Sequence, residues 1–280
     1  MSTKKSGILK SNEKFYRTIR IRCPAGYLDS DALGKISELS KKYGNGEVCL
    51  TSRLSVEIPY VNVEYADDAK AEIEDAGLVV GGTGPVVRAV FACKGTFCPH
   101  GIVDTRKIAS EIEEKYGGMK LPVKIKTGVS GCPNNCGKAQ FNDIGFIAYS
   151  VPEVAGDSCN ECGKCVSACK EDAVSLEDSV VSVNYERCIS CGDCITACKK
   201  ENIISKESGV RVYLGGRAGR RLIFGKEYKR PLKEENCIKV AGLVIDYVKE
   251  NGREGVRLGQ LILDDGFEKL EKYLDDNLSF

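Results

Sequence analysis

The chain has 280 residues, 42% of them apolar and 29% charged, with a formal net charge of +1. That length supports a substantial core and more than one domain, and the near-neutral balance gives no global attraction to nucleic acid or an anionic membrane. Fifteen cysteines are the outlying number. The start MSTKKSGILK runs into charged sequence without an apolar segment, and no apolar stretch is long enough to span a bilayer, so the sequence reads as cytoplasmic. In that compartment clustered thiols point to metal rather than to disulfides.

FYRTIRIRC (15–23) reads as a strand, and a helix over 30–43 follows with Asp29 or Ser30 as its cap. After the turn YGNGEV, CLTSRLSVEI (49–58) reads as one continuous strand with Thr51, Arg53 and Ser55 on a shared face. ADDAKAEIEDAG (66–77) is a helix ended by Gly77. This β-α-β-α order predicts a ferredoxin-like lobe over 1–84. A break at Gly81, Gly82, Gly84 and Pro85 leads into strand-like VVRAVFAC (86–93), a helix over 104–118 stopped by Gly117, and strands at 121–130 and 143–150. Strand character resumes at 210–216. An apolar-striped helix spans 234–251, and one last helix lies near 264–276.

Between these sheet segments lies a tandem repeat. Cys159, Cys162, Cys165 and Cys169 recur at the same spacing as Cys188, Cys191, Cys194 and Cys198. Each set is C-x2-C-x2-C-x3-C, the ligand run of a two-cluster bacterial ferredoxin, in which the fourth cysteine serves the other cluster. One [4Fe–4S] cluster then takes Cys159, Cys162, Cys165 and Cys198, and the other Cys188, Cys191, Cys194 and Cys169. The proline that usually follows the fourth cysteine is replaced by Lys170 and Lys199. A pair of zinc sites is the alternative, but zinc does not call for this spacing. Residues 155–207 read as an insertion into a domain made of 85–154 and 208–280.

A second thiol set stands outside the repeat: Cys93 and Cys98 in one loop, Cys132 and Cys136 in another, each loop following an apolar strand. Four such thiolates would hold a third [4Fe–4S] cluster or a zinc. Lys124 and Lys126 sit at i and i+2 on a predicted strand and so share a face. Taken alone they read as solvated surface charge; beside the cysteine pairs they read as an anion pocket, because two converging ammoniums need an anion between them. His100 is the single histidine, which rules out His-based triads, and its place beside Cys98 gives it a local supporting role. Cys23, Cys49 and Cys237 read as packed free thiols. No G-x-G-x-x-G opens a helix after a strand, so electrons must come from another protein.

RAVFACKGTFC and KIKTGVSGCPNNCGKAQFNDIGF resemble the siroheme–[4Fe–4S] signature of the sulfite and nitrite reductase family. The likeness is greatest to small assimilatory-type and anaerobic sulfite reductases with an inserted two-cluster ferredoxin. It extends through RCPAGYL, YGNG, TSRLSVEIP, LGGRAGR and RLGQLILDDGF. One departure is the first cysteine pair, which the family usually spaces by five residues and this chain by four. The resemblance implies an α+β chain in which a ferredoxin-like lobe precedes an α/β siroheme-cluster-binding domain carrying a 2[4Fe–4S] ferredoxin domain. It implies siroheme and three [4Fe–4S] clusters, with Cys136 bridging cluster and siroheme. Arg22, Arg88, Lys124 and Lys126 match the positions that grip the oxyanion, and Arg53, Arg217 and Arg220 are candidates for the siroheme carboxylates. Gly215, Gly216 and Gly219 would let backbone N–H groups approach an anion. The implied reaction is six-electron reduction of sulfite to sulfide, with electrons from a ferredoxin or a flavin-containing reductase subunit. Nitrite reduction to ammonia and a non-catalytic multi-cluster electron carrier are the alternatives. Larger members hold two such halves, so a homodimer in which chains exchange their Arg/Lys sets is expected.

Overall fold

The computed structural model describes residues 6–156 and 159–278. In the first lobe, β1 (Ile8–Lys10), β2 (Tyr16–Arg22), α1 (Ser30–Tyr43), β3 (Cys49–Leu50), β4 (Val56–Asn62), α2 (Ala66–Asp75) and β5 (Val79–Val80) follow in order. The strands form one antiparallel sheet in the order β1-β2-β4-β3, with β5 also on β2. Ile19 and Ile21 of β2 and Val56, Ile58 and Val61 of β4 meet Ile36 and Leu39 of α1 and Ile73 of α2 in one apolar core. Asp29 caps α1, its carboxylate accepting from Ala32 N at 2.8 Å.

The strand expected over 49–58 is a hairpin instead. Cys49 pairs with Glu57 and Leu50 with Val56, so Thr51–Ser55 is the turn, with Leu54 at φ 58°. Thr51 Oγ1 accepts from the N–H groups of Arg53 and Ser55 and closes that turn. Thr51, Arg53 and Ser55 therefore share no strand face. Cys49, on the short outer strand, is exposed rather than packed, while Cys23 and Cys237 are buried as expected.

The second sheet combines parallel and antiparallel pairs. Its first half runs β6 (Phe91–Ala92), α3 (Thr105–Tyr116), β7 (Thr127–Ser130) and β8 (Ile144–Val154). The insert follows, with α4 (Lys164–Ala168), β9 (Val174–Glu177), β10 (Val180–Val183) and α5 (Asp193–Ala197). Then come β11 (Ile203–Leu214), β12 (Lys226–Glu227), α6 (Cys237–Asn251), α7 (Leu258–Asp265) and α8 (Phe267–Asn277). β6, β7 and β8 are parallel neighbours, and β11 returns antiparallel along all of β8 before pairing with β12. Ile108, Ala109 and Ile112 of α3 pack with Val240, Val244 and Val248 of α6 and Leu270 and Leu274 of α8 against Val129, Ile144, Phe146 and Val212 of the sheet. Each such fully buried Ile or Leu contributes about 1.5–3 kcal/mol.

Three boundaries differ from expectation. Only Phe91–Ala92 of 86–93 is regular strand, although Val86 and Val87 make single bridges to Lys120 and Ile125. Lys124 and Lys126 precede β7, yet the chain there is extended: Val123, Ile125 and Thr127 are buried while the two lysines are half-exposed, so they share one face. The last helix expected near 264–276 is α8, and it is preceded by an unexpected helix, α7, set off from it by Gly266 at φ 91°. In the insert, α4 and α5 each start directly after a left-handed glycine, Gly163 (φ 65°) and Gly192 (φ 77°), at the same point of each cysteine repeat.

Candidate metal centres and anion site

The two loops bearing the outer thiol set face each other across a cavity of about 440 Å³. Cys93, Cys98, Cys132 and Cys136 all line it, together with Ala25, Tyr27, Leu54 and Phe97 from both lobes. The CPNNC loop is held by one side chain. Asn135, left-handed at φ 48°, accepts from Ser130 Oγ and Ala139 N and donates to Gln140 Oε1. Asparagine tolerates that conformation and bonds its own backbone neighbourhood, which is why this residue can turn the chain between two ligand-type cysteines. Burial raises the pKa of Cys132, and the thiols of Cys93, Cys136 and Cys98 raise it further. Thiols that repel one another in this way are stabilised by a cation between them.

The insert gathers two further thiol quartets. Cys159, Cys162 and Cys165 share a cavity of about 170 Å³ with Cys198, from the other run. After burial, the neighbours raising the pKa of Cys165 include Cys198 and Cys159. Those raising Cys194, to about 12, are Cys191, Cys188 and Cys169. The fold thus brings the fourth cysteine of each run to the first three of the other. Backbone N–H groups point at several sulfurs: Ala173 N at Cys169, Glu161 N at Cys159 and Ser190 N at Cys188, with Gly131 N at Cys93 in the core set. Tyr27 Oη and Asn202 Oδ1, on the walls of the core and first insert cavities, are buried without a hydrogen-bond partner in the protein. Among the described residues no three His, Cys, Asp or Glu side chains are grouped to hold a single metal ion. Thiols set around a cavity, rather than at a point, suit a cluster with its own volume.

Beyond the core cavity lies a concentration of cations. Arg88, Lys124, Arg217 and Arg257 line one open cavity of about 420 Å³. Burial holds the pKa of Lys126 down to about 8, and Arg53, Arg257 and Lys124 push it the same way. Burial also lowers Lys124, with Arg257, Arg88 and Arg217 adding to it. Arg88 and Arg53 are each lowered to about 10, chiefly by burial. Neither lysine ammonium makes a hydrogen bond or ion pair with the described residues. Positive groups this close, with few carboxylates between them, form a seat for an anion.

The remaining candidates are placed differently. Arg22 is buried and ion-paired with Glu113 of α3, whose other oxygen accepts from Val90 N, so it ties the first lobe to the second. Arg53 also spans the lobes, donating to Asn142 Oδ1 and to the carbonyls of Ala89 and Thr127, while its buried Nε has no partner. Arg220 is exposed at the tip of the hairpin closed by Arg217 and Ile223. Gly215 does not free its N–H for an anion. Gly215 N donates to Asp143 O, and a Cβ on Gly216 would lie 2.1 Å from Gln140 O, so these glycines permit backbone to pack on backbone.

Two residues escaped the sequence reading. Asp143 is fully buried beneath the cations, accepting from Arg257 Nε at 3.0 Å and Nη2 at 2.5 Å and from Lys126 N at 2.8 Å. Burial raises its pKa, while the Arg257 fork and the Lys126 N–H act against that rise. The RLGQ and NDIG segments containing this pair are 114 residues apart, and a single sequence carries no signal that they meet.

Thiol quartets beside a basin of cations are the arrangement of a metal-cluster protein with room for an anionic ligand. Residues 83–280 match the family described as nitrite and sulphite reductase 4Fe-4S domain, and residues 8–76 the nitrite/sulfite reductase ferredoxin-like half domain. The chain belongs to the nitrite and sulfite reductase family. It is 38% identical over 213 residues to a coenzyme F420-dependent sulfite reductase of Methanocaldococcus jannaschii, covering 75% of this chain and 34% of that protein. It is 31% identical to one of the subunits of the anaerobic sulfite reductase of Salmonella typhimurium, over 56% of this chain and 50% of that one. A sulfite reductase, assimilatory-type, of Nitratidesulfovibrio vulgaris is 32% identical over 52% of this chain and 67% of its own. The chain therefore spans about a third and a half of the first two of these relatives. A crystal structure of dissimilatory sulfite reductase I shares the fold, with TM-score 0.77 over 95% of this chain and 72% of that one at 18% identity.

Proposed function

We propose that the chain is the catalytic unit of a siroheme-dependent sulfite reductase, carrying sulfite to sulfide with six electrons relayed through three [4Fe–4S] clusters. The observation that supports it most is the conjunction of four thiols around one cavity with an unpartnered lysine pair and several arginines nearby. The residues suit the groups: soft thiols and sulfur-directed N–H groups for iron–sulfur clusters, and a surplus of cations for a tetrapyrrole bearing many carboxylates. Once bound, siroheme and the clusters supply the one-electron chemistry and the iron that receives sulfite. Cys93, Cys98, Cys132 and Cys136 would hold the core cluster, and the exposed Cys136 would be the residue able to couple it to siroheme.

The chain's own contribution is electrostatic and protic. Arg88, Lys124 and Lys126 draw in the oxyanion. Lys126 is poised to give a proton to a departing oxygen, because its pKa of about 8 lies near neutrality. Arg217 and Arg220 answer carboxylates, while Arg22 and Arg53 fix the first lobe against the second. The donor is a separate electron-transfer protein, and two chains pair to complete two sites.

Steady-state rates with sulfite and with nitrite, driven by a small-molecule reductant, test this reading. Sulfide produced faster than ammonia supports it. Faster ammonia production makes the chain a nitrite reductase, and no turnover of either anion by cofactor-replete protein makes it an electron carrier.

A further inference from the structure

His100, the single histidine, is not confined to its own loop. Its Nδ1 lies 2.8 Å from Oδ1 of Asp193, 93 residues away in the insert. A carboxylate only accepts, so the imidazole donates through Nδ1–H. His100 is two residues from Cys98 of the core set, and Asp193 lies between Cys191 and Cys194 of the second run. The contact does not stand alone. Ser150 N on β8 donates to Ser190 O at 2.8 Å, Ser150 bridges Cys191, and a Cβ on Gly192 would sit 3.3 Å from that of Ser150. Pro99, His100 and Ile102 face Cys191, Asp193 and Thr196 across one small cleft. By contrast, the cavity of Cys159, Cys162, Cys165 and Cys198 is walled by residues 159–203 only.

We propose that His100 and Asp193 are positioning residues that latch the insert to the core. They set the gap across which an electron leaves the cluster of Cys188, Cys191, Cys194 and Cys169 for the cluster of Cys93, Cys98, Cys132 and Cys136. This rests on the reading above. It also orders the relay: the site of the first run is outer and takes the electron from the donor, and the site of the second run is inner. One electron moves per step, no bond forms or breaks, and the donor is a one-electron reductant.

The test uses the holoprotein, with His100→Ala and His100→Asn, the latter keeping a donor N–H near the place of Nδ1. Each is first assayed for iron, acid-labile sulfide and siroheme. After rapid reduction of the insert clusters, stopped-flow absorbance follows their reoxidation by the core with sulfite present. Amide exchange of residues 100–102 and 190–194 is read in parallel. The proposal expects full cofactor content in all forms, faster exchange in both segments of His100→Ala, and hand-over slowed about tenfold or more. His100→Asn should restore the rate to within a few-fold. Should His100→Ala lose cofactor, Asp193→Ala, which removes the acceptor, takes its place with the same readouts and expectations. Unchanged hand-over in a replete variant overturns the proposal, as does His100→Asn as slow as His100→Ala. Wild-type protein lacking clusters or siroheme would instead overturn the functional reading beneath it.

Discussion

Removing the Asp143 carboxylate should be among the costliest single changes outside the apolar core. The side chain is 0% exposed and Arg257 is 8% exposed, and they meet through two hydrogen bonds of 3.0 and 2.5 Å, with a third bond from Lys126 N at 2.8 Å. Asp143→Ala leaves a buried guanidinium uncompensated, which costs about 3–5 kcal/mol. It also strands a half-buried N–H, worth about 1–3 kcal/mol, but the losses share one carboxylate and do not simply add. A total near 4 kcal/mol is a large part of the roughly 5–15 kcal/mol that holds a domain together. Urea unfolding of the single variant and of Asp143→Leu with Arg257→Met separates the causes. The double variant exchanges the ion pair for apolar packing, so it should recover all but about 1–3 kcal/mol, the share of the stranded Lys126 N–H. A loss below about 1 kcal/mol in Asp143→Ala, or a double variant no better than the single, would refute the view that this pair balances charge beneath the basin.

Lys126→Ala should leave siroheme and clusters bound while turnover falls about 10²–10⁴-fold, the range of a lost proton donor; cofactor content and steady-state rate decide it, and unchanged turnover removes Lys126 from the site. The ammonium is the proton-giving form and its pKa is about 8. Activity that depends on it is therefore full below pH 8 and declines as pH rises through that value. A profile of kcat/KM against pH should show that limb in the native protein and lose it in Lys126→Arg, whose guanidinium stays charged. Cys165→Ser should abolish turnover driven by a protein donor through the outer cluster, while a small reductant that reaches the core directly still supports it; undiminished donor-driven turnover would place the first run off the relay.

What the sequence disclosed follows from how local each signal is. The x2-x2-x3 thiol runs are spaced within a single turn or loop, so the repeat is visible by inspection, and the fold then brings Cys198 beside Cys159 and Cys165. The alternation of Val123, Lys124, Ile125 and Lys126 showed the lysines' shared face even though regular strand begins only at Thr127. The hairpin at Thr51–Ser55 was hidden because alternating character continues across it, and the reversal depends on a left-handed Leu54 and the Thr51 hydroxyl. Asp143 with Arg257, Arg22 with Glu113, and His100 with Asp193 are partners 114, 91 and 93 residues apart. Partners at such separation leave no local pattern in the sequence; only the packing of the lobes and insert brings them together.

The most direct test of the account is the composition and colour of the protein purified without oxygen. Three cubanes and one siroheme predict about thirteen irons and about twelve sulfides per chain, with visible tetrapyrrole bands that shift when sulfite or cyanide is added. Zinc in place of iron at Cys93, Cys98, Cys132 and Cys136, or full iron–sulfur content with no tetrapyrrole bands, would contradict it.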